Sequence, residues 1–209
     1  MIRAIPYASC YVYSPAGAGE MCERSRLMRT FLKAGDEIFM RKYAWRVCQE
    51  AKNSPLLAGF FGPADLLVPV PGSAPYRSGD SWTSQHLAAA LVSEGLGGAA
   101  WTGLHRVRAV RKSATAAPGT RPTVSLHYDS FYVERPAEPP GGIVLIDDVV
   151  TKGRTLLAAA SRVQEAFPTA QIRAFALLRT MGLISSVEQL LNPCRGQIRW
   201  RGGDAHRSP

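Results

Sequence analysis

In the first third of the chain, apolar residues recur at helical spacing. ERSRLMRTFLKAG (23–35) places Leu27, Met28, Phe31 and Leu32 on one face, and Gly35 supplies a stop. EIFMRKYAWRVCQEAK (37–52) repeats the pattern, with Ile38, Tyr43, Trp45 and Val47 set among basic residues; Asn53, Ser54 and Pro55 end it. The pattern then changes. LLVPV (66–70) is a short apolar run closed by Pro71 and Gly72, the mark of a buried strand that runs into a loop. SWTSQHLAAALVSEG (81–95) predicts a helix with an Ala/Leu face. Residues 103–123 carry Arg106, Arg108, Arg111, Lys112 and Arg121 among Pro118, Gly119 and Pro122, so a basic, mobile loop is expected there. VSLHYDSFYV (124–133) is β-prone, and PAEPPGG (136–142) reads as a surface turn. GIVLI (142–146) is a second buried strand, TLLAAASRVQEAF (155–167) a helix that stops near Pro168, and QIRAFALL (171–178) a third strand. RGQIRWRGGDAHRSP (195–209) reads as a polar, basic tail, disordered at its end.

Strand, helix and strand in succession, with strands apolar on both faces, argue for parallel pairing and an α/β fold. The length of 209 residues suits one domain with decorations. No apolar run approaches the length of a bilayer span, so no membrane partner is expected. The opening MIRAIPYASCYVYSP lacks the basic start and apolar core of a signal peptide, which makes a cytoplasmic location the expectation. Cys10, Cys22, Cys48 and Cys194 are widely spaced with no C-x-x-C pair, so they are expected as free thiols rather than a zinc site. The net charge of +9 favours anionic partners without choosing among nucleic acid, phosphorylated metabolite and acidic protein.

The chemistry concentrates in VLIDDVVTKGRT (144–155). In a parallel sheet, ligands bind at the carboxyl ends of strands, and Asp147 and Asp148 directly follow Ile146. The turn 151–155 leads into a helix whose first backbone N–H groups and dipole favour an anion. Gly153 allows close backbone approach, Thr151 and Thr155 add hydroxyls, and Lys152 and Arg154 add positive charge. The carboxylates suit paired sugar hydroxyls and can help to hold hydrated Mg²⁺. A phosphate cup beside a hydroxyl-binding acid pair fits a sugar phosphate. The competing reading is an acidic strand end followed by an ordinary helix cap.

This stretch resembles the signature of the type I phosphoribosyltransferases, which bind 5-phosphoribosyl-1-pyrophosphate (PRPP). The resemblance implies that Asp147 and Asp148 contact the ribose hydroxyls and Mg²⁺. It implies that Thr151, Lys152, Gly153, Arg154 and Thr155 hold the 5′-phosphate, and that Val149 and Val150 also lie against PRPP. Lys152 stands where that family more often has a small or hydroxyl residue. The segment 66–91, LLVPVPGSAPYRSGDSWTSQHLAAAL, is similar to the ComF-like branch, in which the loop after the strand contacts pyrophosphate. By position that loop is Pro71, Gly72 and Ser73, with Arg77 nearby. The basic segment with Arg106, Arg111, Lys112 and Arg121 looks like the flexible loop that closes over PRPP. The whole resemblance spans about residues 66–180 and implies a type I phosphoribosyltransferase-like parallel sheet flanked by helices. It divides the chain into an N-terminal helical extension or hood (1–60), a core (61–182) and a C-terminal helix with a basic tail (183–209). The four-cysteine zinc module frequent in the ComF-like branch is missing from this sequence, and Trp82, Thr83, Ser84 and Gln85 replace its usual Phe-Asn-Gln helix start.

The implied reaction is Mg²⁺-dependent transfer of 5-phosphoribosyl to a nitrogenous acceptor, with Arg77, Arg111 and Lys112 as cations for the departing pyrophosphate. Two other functions use the same pocket. One is a regulator that senses PRPP or a nucleotide, with nucleic acid on the basic face. The other is a toxin or defence effector, held by a DNA-processing-like partner that docks on the N-terminal helices. A homodimer is a further expectation from related enzymes. Other features carry less. Arg24, Arg26, Arg29 and Lys33 read mainly as a solvated helix face, His86 as a packed or surface histidine, and His127 as a strand position near Tyr128 and Asp129. YSPAGAGE (13–20) lacks the G-K-[ST] and the strand–loop–helix setting of a P-loop.

Overall fold

The computed structural model describes residues 1–77, 80, 82–111, 120–135, 140–182, 184 and 186–209. In chain order the elements are β1 (Ala4–Tyr13), α1 (Glu20–Ala34), α2 (Glu37–Asn53), β2 (Leu66–Pro69), α3 (Thr83–Ser93), β3 (Ala99–Ala100), β4 (Leu104–Arg106), α4 (Val124–Asp129), β5 (Phe131–Val133), β6 (Gly142–Val150), α5 (Arg154–Ala166), β7 (Gln171–Thr180), β8 (Leu191–Arg201) and β9 (Asp204–Ser208). The described strands form a seven-stranded sheet in the order β3-β2-β6-β7-β1-β8-β9, and a small ribbon of β4 with β5. From β3 to β1 all neighbours are parallel; β8 and β9 add antiparallel strands at one edge.

Helices cover both faces, as apolar runs on β2, β6 and β7 require. One core, with Tyr7, Leu145, Leu156 and Ile198, lies on the α5 side. The other, with Met28, Leu32, Val47, Leu87, Val144 and Phe175, lies under α1, α2 and α3. The chain leaves β2 through α3 towards β3, and leaves β6 through α5 towards β7. These opposite directions put a topological switch point between β2 and β6, where such sheets hold ligands outside the strand ends. Among the described residues, no helix is long and apolar enough to cross a membrane.

The α/β architecture, the parallel sheet and its flanking helices are as the sequence predicts. Several local expectations are corrected. Residues 4–13 are a strand inside the sheet, not part of a purely helical N-terminal third. They bury Ile5 and Tyr7 in one core and Ala8, Cys10 and Tyr11 in the other. α1 and α2 form near their expected limits, and Asp36 caps α2 by accepting from the Phe39 N–H at 2.7 Å. Their inward faces differ, however: α1 buries Cys22, Ser25, Met28 and Leu32, and α2 buries Met40, Ala44, Val47 and Cys48. Leu27, Phe31, Ile38 and Trp45 stay exposed. The β-prone stretch 124–133 begins instead as α4, because the Thr123 hydroxyl accepts from the Leu126 N–H and Val124 and His127 turn inwards together. The C-terminal helix and disordered tail are replaced by the hairpin β8–β9. Its two-residue Gly202-Gly203 turn has positive φ at both positions (58° and 79°), the geometry favoured for hairpins. Within the basic segment 103–123, residues 104–106 are a strand paired with β5, and Arg106 is buried.

Candidate functional site

β6 runs past its acids to Val150, so Asp147 lies within the ladder opposite Ala176 rather than just beyond the strand end. The turn Thr151-Lys152-Gly153 follows, and α5 starts at Arg154 with Gly153 as its cap. Gly153 has φ +85°, and a Cβ there would come within 2.7–2.9 Å of three side-chain atoms of Ile198 on β8. Glycine is therefore required twice, by backbone conformation and by space. The Thr151 and Thr180 hydroxyls lie 3.0 Å apart and link the turn to the end of β7.

These residues face a cleft of about 540 Å³ at the carboxyl edge of the sheet. Asp147, Asp148, Val149, Val150, Thr151, Lys152, Gly153, Arg154 and Thr155 all line it. Tyr13 and Pro15 contribute the end of β1, Thr180 and Gly182 the end of β7, and Arg29 and Lys33 the last turns of α1; Arg121 completes the wall. Arg29 and Lys33 are thus not merely solvated. They stand four residues apart, on one helix face turned to the cleft.

Lys33 Nζ forms an ion pair with Asp148 Oδ2. Burial pushes the Asp148 carboxyl up, but the Lys33 charge and a hydrogen bond with Asp147 outweigh it and hold Asp148 below the usual carboxylate range. Asp147 goes the other way: burial first, then the Asp148 charge, keep it well above that range. Asp147 Oδ1 accepts the Asp148 N–H at 2.9 Å. The pair thus splits into a readily protonated acid and an ionised one, with a built-in cation on the latter.

The cations of the turn are engaged as well. Asp204 at the start of β9 accepts from Arg154 Nε at 2.5 Å and Nη2 at 2.7 Å, and from Lys152 Nζ at 3.2 Å. The Arg154 bonds come first in holding the Asp204 carboxyl far below its usual range. Asp204 holds these two cations from the hairpin β8–β9, in the segment where the sequence predicts a disordered tail.

The neighbouring strand end is close but separate. Val70 N–H donates to Ile146 O at 2.8 Å, which brings Pro71, Gly72 and Ser73 to the same sheet edge as Asp147. Neither they nor Arg77 nor the exposed Arg111 are among the described residues that line the cleft. Lys112 lies outside the described residues. Arg106 bridges the gap: it donates to Gly72 O and to Ser130 Oγ, sits 4.3 Å from the Phe131 ring centroid, and places Nη2 3.5 Å from His127 Nδ1. His127 Nε2 in turn lies 3.5 Å from Thr155 Oγ1. Burial, then the nearby Arg106 and Arg154 charges, lower His127 to about 4, so its imidazole is neutral at physiological pH. Burial lowers Arg106 to about 10 against the opposing pull of Asp147. A buried chain therefore runs from the loop after β2 to the first turn of α5. His127 joins it because residues 124–129 are helical.

Among the described residues, no three His, Cys, Asp or Glu side chains form a metal-binding group. No family model matches this chain, and no curated protein matches its sequence. Among solved structures, a hypoxanthine phosphoribosyltransferase from Staphylococcus aureus aligns with it at 11% identity and a TM-score of 0.40, covering 72% of this chain and 70% of the other. An adenine phosphoribosyltransferase from Leishmania donovani aligns at 15% identity and a TM-score of 0.27, covering 88% of this chain and 84% of the other.

Proposed function

We propose that the cleft binds PRPP and that the protein transfers its 5-phosphoribosyl group to a nitrogenous acceptor, releasing pyrophosphate. One observation carries this reading. An acid pair on a central parallel strand and a glycine turn capping a helix line a single cleft at the carboxyl edge of the sheet. The turn supplies N–H groups and the Thr151 hydroxyl to a phosphate. Asp148, ionised, accepts from sugar hydroxyls, and Asp147 can both donate and accept. Arg29 and Arg121, without acid partners among the described residues, leave positive charge for the rest of the anion.

In the transfer, the acceptor nitrogen's lone pair forms the bond to the anomeric carbon. The bond from that carbon to the pyrophosphate oxygen breaks, and its electron pair leaves with pyrophosphate. The acceptor's proton passes to water or to the leaving group. The cleft's cations stabilise the charge that develops on that group, and no covalent nucleophile is needed. Asp147 and Asp148 would be the residues to hold Mg²⁺, and they suit it poorly because the Lys33 ammonium already occupies Asp148. No step is therefore assigned to a metal.

A regulator that binds the same ligand without turnover is the second reading. It is favoured by the position of Pro71, Gly72, Ser73 and Arg77 outside the cleft lining. Calorimetric titration of PRPP into the wild type and into Asp147→Asn/Asp148→Asn tests the pocket; loss of binding in a folded double variant is expected. Pyrophosphate release with a panel of nitrogenous bases then separates the two readings. A wild type that binds no PRPP overturns both.

A further inference from the structure

We infer that Lys33 takes the charge-neutralising place beside the acid pair that a divalent cation would otherwise fill, so that the cleft binds its phosphorylated sugar without a metal ion. The inference rests on the sugar-phosphate reading above.

The first support is position. The Lys33 ammonium contacts Asp148 Oδ2, the Asp148 side chain is only 10% exposed, and that of Lys33 is 47% exposed. The carboxylate is shielded while the ammonium remains open to the cleft. An ammonium has three donors. One serves Asp148, and the others can reach a ligand hydroxyl or phosphate oxygen, as a hydrated cation would.

The second support is anchoring. Lys33 lies between the buried Leu32 and the helix end at Gly35, and Met28 one turn earlier is also buried. Ser14 N–H donates to Ser25 Oγ at 3.1 Å, and Arg26 Nη1 donates to Gly17 O at 2.9 Å. α1 is thereby fixed to the loop that leaves β1, and the backbone that carries the cation is part of the packed fold.

The third support is charge. Arg29, Arg121, Lys152 and Arg154 line the same cleft as the two acids, with Lys152 and Arg154 paired to Asp204. A divalent cation would have to displace Lys33 from Asp148 in a cleft that also holds Arg29 and Arg121 without acid partners among the described residues, whereas a phosphorylated ligand meets a wall already suited to it.

The test is calorimetric titration of PRPP into the full chain, in EDTA and in excess Mg²⁺. Wild-type affinity is expected to agree between the two buffers within about threefold, allowing for Mg²⁺ bound by the ligand itself. Lys33→Gln, which lies on a half-exposed helix position, should bind about 30-fold more weakly in EDTA, the loss of one charge-assisted contact. Mg²⁺ should restore most of that loss. Lys33→Arg should keep metal-free binding, which separates loss of charge from loss of fold, and circular dichroism checks the fold of each variant. Wild-type binding only with Mg²⁺, or Lys33→Gln binding unchanged in EDTA, overturns the role of Lys33 and leaves the ligand reading standing. No binding in either buffer overturns the ligand reading, and this inference with it.

Discussion

Gly153→Ala isolates the turn that joins β6 to α5. Two costs add. At φ +85° an alanine is held in the left-handed region, worth about 1–2 kcal/mol. Its Cβ also meets Cδ1, Cγ2 and Cγ1 of Ile198 at 2.7, 2.8 and 2.9 Å. Ile198 is fully buried and cannot swing away, so overpacking adds about 1–3 kcal/mol. The sum is roughly 2–5 kcal/mol, which lowers Tm by on the order of 10 °C in a chain of this size. Thermal and urea melts read it directly. A double-mutant cycle with Ile198→Ala divides it: in that background only the backbone cost should remain, giving a coupling of about 1–3 kcal/mol. A Tm within about 2 °C of wild type, below the effect of 1 kcal/mol, would refute the described contact, and so would a cycle without coupling. Because the turn forms the proposed phosphate cup, PRPP affinity should fall with it.

His127 takes up a proton near its ordinary value of 6.5 in the unfolded chain but only near 4 when folded. The unfolded state therefore binds more protons in that window, and stability falls as pH drops from 6.5 to 4, by up to about 3 kcal/mol. Urea melts across that range should show the slope, and His127→Gln should flatten it. Asp204→Asn frees Arg154 and Lys152. The loss of partly exposed charged hydrogen bonds should cost about 1–2 kcal/mol, while phosphate binding measured at low salt strengthens. Unchanged phosphate affinity would show that these cations do not serve the cup. All four cysteines are buried and unpaired, so Ellman's reagent should label the native protein slowly and reveal four thiols on denaturation.

The parts of this structure that were legible in the sequence are those where local pattern and tertiary role agree. GIVLI and QIRAFALL are apolar on both faces because both faces are covered, and β6 and β7 follow. VLIDDVVTKGRT combines a strand, a turn requirement and a helix start in twelve residues, and each of its predicted binding positions lines the cleft. The sequence places Lys33 on a solvated face because its partner Asp148 lies on another element; only the packing of Met28 and Leu32 decides which way α1 faces. For the same reason Leu27, Phe31, Ile38 and Trp45 mislead, while Met28, Leu32, Met40, Ala44 and Val47 go inside. His127 was hidden by a β-prone composition that one threonine cap overrides. The hairpin β8–β9 did carry a signal. Ile198 alternates with exposed arginines ahead of Gly202-Gly203, the pattern of a tight turn, but its basic charge masked it.

The position of β1 has a consequence for the order of assembly. The strand precedes α1 and α2 yet lies between β7 and β8, with Tyr7 beside Ala174 on one side and Gly196 on the other. During synthesis it lacks β7 and β8 until residues 171–201 have emerged. Its apolar residues must wait, exposed or held by a chaperone, while α1 and α2 form locally. Such long-range closure makes folding slow and raises the risk of aggregation on the ribosome. The end of β1 lines the cleft through Tyr13. The cleft is therefore completed only after β7 and β8 have joined the sheet.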